Sequence, residues 1–232
     1  KMVGEVITSS SIVKALSFTG STEVGKILMA ACAKTVKKVA LELGGNAPLI
    51  IFDDADLDVA VSGVIASKFR NSGQTCVCAN RILVQENIHD AFIAALKIAV
   101  TELKVGNGLD PASKQGPLIN EEAVAKVQSH ISDALSKGAS LISGGKRLAG
   151  DGTFFEPTII TGVTSEMLVC QEETFGPLAG VIKFKTEQEA IEIANNTPFG
   201  LAAYFFTKDN ARTWRVGEAL EVGVVGINTG LI

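Results

Sequence analysis

Short apolar runs alternate with stretches of helical spacing along most of this chain, and that alternation predicts its elements. Read in order, it gives a strand over residues 12–18 and a helix over 21–33 with Ser21 as N-cap. Strands follow over 39–43 and 49–52, parted by Gly44, Gly45 and Asn46. Residues 56–69 carry Leu57, Val61, Val64, Ile65 and Phe69 at helical spacing, before a strand at 81–85 and an amphipathic helix at 89–103. A helix over 120–137 stops at Gly138, and a strand over 140–143 leads into a glycine-rich, hairpin-like region. Strands at 177–184, 202–207 and 222–228 then enclose helices at 187–195 and 210–220. Strands alternating with helices predict an α/β fold: a mostly parallel sheet with helices on both faces. No internal repeat and no low-complexity linker interrupts the pattern.

Composition narrows the class. The chain has 232 residues, 47% hydrophobic and 20% charged, which suits one soluble domain or one domain plus a piece of another. Its net charge of −4, without a block of Lys or Arg, makes nucleic acid and anionic membrane poor partners. Four cysteines (Cys32, Cys76, Cys78, Cys170) do not form a disulfide scaffold at this size. A reducing compartment is expected, the cytoplasm or, in a eukaryote, the mitochondrial matrix. No apolar run reaches the ~18–20 residues of a membrane span, and KMVGEVITSS lacks the design of a signal peptide. Both ends read as a chain entered and left in mid-fold.

Chemistry concentrates in residues 68–78, KFRNSGQTCVC. A thiol is a nucleophile only as thiolate, which requires local positive potential and access. Gly73 permits close backbone approach or a positive φ, and Arg70 supplies a permanent cation upstream of Cys76. The same string also fits Cys76 and Cys78 as small buried residues at the start of a strand. His89 and His130, the only histidines, fall in predicted helices at surface positions, which disfavours a Cys-His pair and leaves a thin zinc set. Glu42, a lone carboxylate in an apolar run beside two glycines, is the alternative base, because burial there would raise its pKa toward neutrality. A strand-edge Glu in a salt bridge is the plainer reading. In QEETFGP (171–177) a Glu could accept two hydroxyls of a ribose while Phe175 stacks on a flat ring; a polar turn with a core phenylalanine accounts for the same residues.

Two further strings match motifs imperfectly. GSTEVGKI (20–27) has phosphate-loop spacing, but Ile27 stands where a hydroxyl would ligate magnesium. What survives is a strand, a turn and a helix N-terminus, competent for an anion or dinucleotide contact. DDADLD (53–58) resembles a calcium loop, yet Val59 replaces the required glycine, and acidic residues at the positive end of a helix explain it better.

Taken together and in order, FTGSTEVGK, LELGGNAP, FRNSGQTC and EETFGP resemble the aldehyde dehydrogenase superfamily, over the whole chain. The resemblance implies Cys76 as nucleophile and Glu42 as the base that activates the deacylating water. It implies Gly20 and Ser21 beside an NAD or NADP cofactor, the Leu43 carbonyl near the nicotinamide, Glu173 on its ribose and Phe175 against its ring. Residues 1–42 would be the last strand-helix-strand of a Rossmann-like dinucleotide domain and 43–232 a catalytic domain. The first half of such an enzyme, with its oxyanion-hole asparagine, and the final oligomerisation strand would then lie outside the chain, which leaves an inactive truncated domain as one expectation. Full-length members are homo-oligomers, and retention of Glu42 favours hydrolysis over acyl transfer to coenzyme A. KFRNSGQTCVCAN and VGINTGLI are most similar to the succinate-semialdehyde dehydrogenase branch, where Arg70 would clamp the distal carboxylate of a small aldehyde. Arg70 also fits a plain cation at a helix C-terminus. In that branch Cys78 would be a redox-switch candidate, closing a strained disulfide to Cys76. A silent structural domain and a thiol redox module are the rival classes, and no metal is implied.

Overall fold

A strand-helix-strand unit opens the computed structural model of the chain, which describes residues 2–232. Helix α1 (Met2–Ser9) precedes β1 (Ala15–Thr19), α2 (Thr22–Ala33) and β2 (Lys38–Glu42), and β1 pairs with β2 in parallel. Ser21 caps α2 as its residue type predicts: the hydroxyl accepts the Val24 N–H at 3.3 Å. Gly25 lets α2 approach the strand end, since a Cβ there would meet the Leu43 side chain at 2.6 Å. These elements belong to one compact unit, Lys1–Gly44; the second unit is Gly45–Ile232.

The second unit is built on seven strands: β3 (Ala47–Ile51), β4 (Ala79–Gln85), β5 (Ser140–Ser143), β6 (Thr158–Thr161), β7 (Leu178–Phe184), β8 (Ala202–Phe206) and β9 (Val224–Ile227). Their order is β5-β6-β7-β4-β3-β8-β9, parallel throughout except for the edge pair β5-β6. The central strands are buried on both faces, which is why they read as continuous apolar runs rather than alternating ones. Leu49, Ile51, Ile82 and Val84 face one core with α3 (Leu57–Val64) and α4 (His89–Thr101). Ile50, Leu83 and Ile182 face the other, with α5 (Glu121–Ser136), α7 (Glu187–Asn195) and α8 (Asn210–Ala219). The predicted sheet covered on both faces is therefore the fold observed.

Several details depart from expectation. Helix α1, strand β6 and the short helix α6 (Leu168–Gln171) fall where no element was predicted. The helical spacing of 56–69 is real, but its last turn, Ile65–Phe69, widens to a π-helical one. A tight turn follows at Arg70–Gly73, with Asn71, Ser72 and Gly73 at φ 51°, 58° and 73°. The acidic run has local duties: Asp56 caps α3 by accepting the Val59 N–H, while Asp54 accepts from the Thr207 hydroxyl and pairs with Arg212 at 2.7 Å. Among the described residues no helix is long and apolar enough to cross a membrane.

Both histidines are buried, contrary to the surface positions expected. His130 shares the inner face of α5 with Val127, Ile131 and Ala134, and its ring nitrogens reach the Thr174 hydroxyl at 3.1 Å and Glu172 Oε2 at 3.4 Å. His89, at the start of α4, is held by Asp90 and Thr161. Polar partners let each imidazole occupy a core-facing helix position.

Candidate active site

Strand order alone brings three of the singled-out segments together. β7, β4 and β3 are neighbours and parallel, and each is entered from the same end by a singled-out segment: EETFGP before β7, GQTCVC before β4 and Gly45-Asn46 before β3. The cluster forms at the amino ends of the strands, opposite to the usual carboxyl-end crevice of open α/β sheets.

Cys76 is the half-buried member of this cluster. Its loop is fixed on several sides. The Tyr204 hydroxyl donates to the Val77 carbonyl at 2.7 Å, the Ser72 hydroxyl to the Gly116 carbonyl at 2.8 Å, and Gln74 Oε1 accepts the Ile119 N–H at 2.8 Å. Gly73 packs directly on the backbone of Gly176, so the turn needs glycine both for its positive φ and for its missing Cβ. Gly45 lies against the Cys76 backbone in the same way, because a Cβ there would collide with the Cys76 carbonyl oxygen. The obstacle is main chain rather than a flexible side-chain tip. Gly45→Ala is accordingly expected to destabilise the second unit by ~1–3 kcal/mol and to change the rate at which iodoacetamide alkylates Cys76. Urea unfolding and timed labelling of the chain check this; wild-type values for both would contradict the close contact.

Glu173 joins the cluster through its carboxylate, which accepts the Gly45 N–H at 3.1 Å. Two residues on, Phe175 is 38% exposed at φ 52°, an aromatic side chain held out of the core by a backbone conformation that non-glycine residues rarely adopt. A carboxylate that can accept from hydroxyls, beside a presented ring, fits a ribose and a flat heterocycle. In the first unit, Gly20 and Glu42 are neighbours through the Gly20 N–H and the Glu42 carbonyl, 3.0 Å apart, with Ser21 at the head of α2. That arrangement is a turn leading into a capped helix N-terminus, suited to an anionic group. Leu43 is half-buried. The burial expected of Glu42 is not met: Lys38, Ala40 and Glu42 form the exposed face of β2.

The second thiol differs from the first. Cys78 is buried, its Sγ donates to the Lys68 carbonyl at 3.5 Å, and burial pushes its thiol pKa up against the opposing influence of the nearby Lys68 ammonium. Lys68 itself is fully buried, and among the described residues its Nζ has no hydrogen-bond partner. Arg70 is exposed at the end of the π-helical turn. All four cysteines are free. Sequence reasoning gave no role to Lys68, or to the buried polar residues Asn46, Asn80 and Arg81.

Comparison with known proteins identifies the family. The model of the aldehyde dehydrogenase family matches residues 1–232. The chain is 60% identical over 230 residues to glutarate-semialdehyde dehydrogenase of Pseudomonas aeruginosa, covering 99% of this chain and 48% of that protein. It is 59% identical over 230 residues to the NADP(+) succinate-semialdehyde dehydrogenase of Escherichia coli, with the same coverage of each. A crystal structure of succinate-semialdehyde dehydrogenase from Burkholderia pseudomallei superposes with a TM-score of 0.98 at 62% identity, covering 99% of this chain and 48% of that one. The chain thus spans about half the length of the curated relatives it matches.

Proposed function

Because the chain belongs to the aldehyde dehydrogenase family, we propose that it carries the catalytic half of an NAD(P)-dependent enzyme that oxidises succinate semialdehyde to succinate. The Cys76 thiolate adds to the aldehyde carbon, and the backbone N–H of Cys76 helps to hold the oxyanion that forms. When bound, a nicotinamide would take the hydride that leaves the former aldehyde carbon as the adduct becomes a thioester. The thioester left on Cys76 is cleaved by water from which Glu42 takes a proton, releasing the acid and the thiol. In this reading Gly20, Ser21 and Leu43 would contribute to holding the dinucleotide, Glu173 would accept from its nicotinamide ribose and Phe175 would offer its ring to the nicotinamide. The observation that supports this reading best is the meeting of Gly45, Cys76 and Glu173 at one end of three adjacent strands.

Arg70 is assigned to the distal carboxylate of the substrate, which a guanidinium can grip with two parallel hydrogen bonds. The test needs a polypeptide that joins this chain to a complete dinucleotide-binding domain. There, Arg70→Ala is expected to raise KM for succinate semialdehyde about 10- to 100-fold, as loss of a charged hydrogen-bonded pair does, and to leave propanal oxidation unchanged. An equal loss for both aldehydes would return Arg70 to the role of a helix-end cation. The similarity to a glutarate-semialdehyde dehydrogenase favours a second reading, the same chemistry on the five-carbon homologue. One methylene discriminates by about 10- to 200-fold at most, so the ratio of the two kcat/KM values separates them.

Cys78 is assigned a regulatory role, as the partner with which an oxidised Cys76 closes a reducible disulfide. Mild peroxide should produce a Cys76–Cys78 bridge by peptide mass spectrometry, with activity regained in dithiothreitol. Unchanged thiols in a fully active enzyme would remove the switch.

A further inference from the structure

Two buried amides with no part in the chemistry above lie beneath the Glu173 segment. Asn80, the second residue of β4, and Asn46, just before β3, are 3% and 2% exposed. Unmet hydrogen-bonding groups are costly at such depth, and here both side chains are engaged. Asn80 Oδ1 accepts the Thr174 N–H at 3.3 Å, while Asn80 Nδ2 donates to the Glu172 carbonyl at 2.9 Å. One side chain therefore brackets both peptide groups that flank Glu173. The same Nδ2 lies 2.7 Å from Asn46 Oδ1 and 2.9 Å from the Val169 carbonyl, so two hydrogens are shared among three oxygens. Asn46 Nδ2 donates in turn to the Cys170 carbonyl at 2.6 Å, and the Asn46 carbonyl accepts from Arg81 Nε at 3.0 Å.

The chemistry of the position calls for an amide. Residue 80 must accept from one peptide and donate to another, which a carboxylate cannot do and an apolar side chain does not attempt. Phe175 follows Thr174 directly, and its strained φ of 52° persists only where surrounding contacts hold it. Asn80 is also close along the chain to Cys76, so it ties the nucleophile strand to the segment bearing the carboxylate and the ring.

We propose that Asn80, braced by Asn46, is a positioning residue that fixes Glu173 and Phe175 relative to Cys76 and so sets the affinity for the dinucleotide without touching it. The link to affinity rests on the reading of Glu173 and Phe175 as cofactor contacts; the tether itself does not. Asn80→Asp is nearly isosteric, keeps the acceptor for Thr174, and loses the donors to Glu172, Val169 and Asn46.

Hydrogen exchange on the 232-residue chain tests the tether directly. Amides of residues 172–175 should exchange about tenfold faster in Asn80→Asp, the scale expected when buried hydrogen bonds are lost, while those of the β4 and β7 cores stay as in wild type. Unchanged exchange at 172–175 would overturn the proposal. Should Asn80→Asp not fold, Asn46→Ala removes only one of the Asn80 bonds and should give a rise of about threefold, with the same contrary result. In the polypeptide with a complete dinucleotide domain, fluorescence titration should show NAD+ or NADP+ binding about tenfold weaker in Asn80→Asp, with iodoacetamide alkylation of Cys76 within about twofold of wild type. Glu173→Gln separates the two ideas. If it leaves cofactor affinity unchanged, the cofactor reading fails and the exchange experiment still decides the tether. If it weakens binding while Asn80→Asp does not, the proposed control of affinity by Asn80 is wrong.

Discussion

Replacing Cys76 by serine is expected to lower kcat by about 10⁴-fold or more, since removal of an enzyme's nucleophile costs up to ~10⁶. The change is small in volume, so the fold should survive it. The loss is chemical: a serine hydroxyl stays protonated near neutrality, and neither histidine is placed to activate it, because Thr174, Glu172, Asp90 and Thr161 already occupy their rings. Cys78 cannot substitute, being buried with a thiol pKa raised by that burial. Reduced nicotinamide formed with succinate semialdehyde measures the effect. Turnover within tenfold of wild type would place the nucleophile elsewhere.

Glu42→Gln should separate the two halves of the reaction. Acylation asks only for the sulfur and the hydride acceptor, whereas hydrolysis of the thioester asks for a base, and loss of a general base typically costs ~10²–10⁴ in rate. The variant should therefore form one equivalent of reduced cofactor per site in a rapid burst and then stall, with the acyl group retained on Cys76. Glu42 lies on the exposed face of β2, so the assignment draws nothing from burial and stands on position and chemical role. Rapid-mixing absorbance reports burst and steady state together. A burst reduced as much as the steady state would take the deacylation role away from Glu42.

Much of the fold was legible because its signals are local and redundant. Apolar runs such as Leu49-Ile50-Ile51 are what a strand buried on both faces must look like. Ser21 and Asn120 mark helix starts by supplying the side-chain acceptors those ends lack. Strand β6 was hidden because Thr158–Thr161 offers four residues and no alternation after a glycine-rich stretch, and its strand character comes from pairing with β5 and β7. The π-helical widening before Arg70 leaves no trace in spacing either. For the candidate site, Cys76, Gly73 and Phe175 stand out by residue type within short strings, while Glu173 is singled out from its neighbour Glu172 only by the family resemblance. Asn46 and Asn80 do not stand out, since a buried amide matters through partners more than a hundred positions away in some cases, and no local pattern records them. For His130 the polarity of the side chain suggests the surface, whereas helical spacing sets it among Val127, Ile131 and Ala134 on the buried face.

The central claim is a covalent bond between Cys76 and the substrate's acyl carbon. Its most direct test is to join the chain to a complete dinucleotide domain, mix it with succinate semialdehyde and NADP+ or NAD+, quench in acid and map the acyl group by peptide mass spectrometry. A succinyl thioester on Cys76, absent without cofactor and accumulating in Glu42→Gln, is the predicted result. Turnover without any acylated cysteine, or acylation at Cys32, Cys78 or Cys170 in place of Cys76, would contradict it.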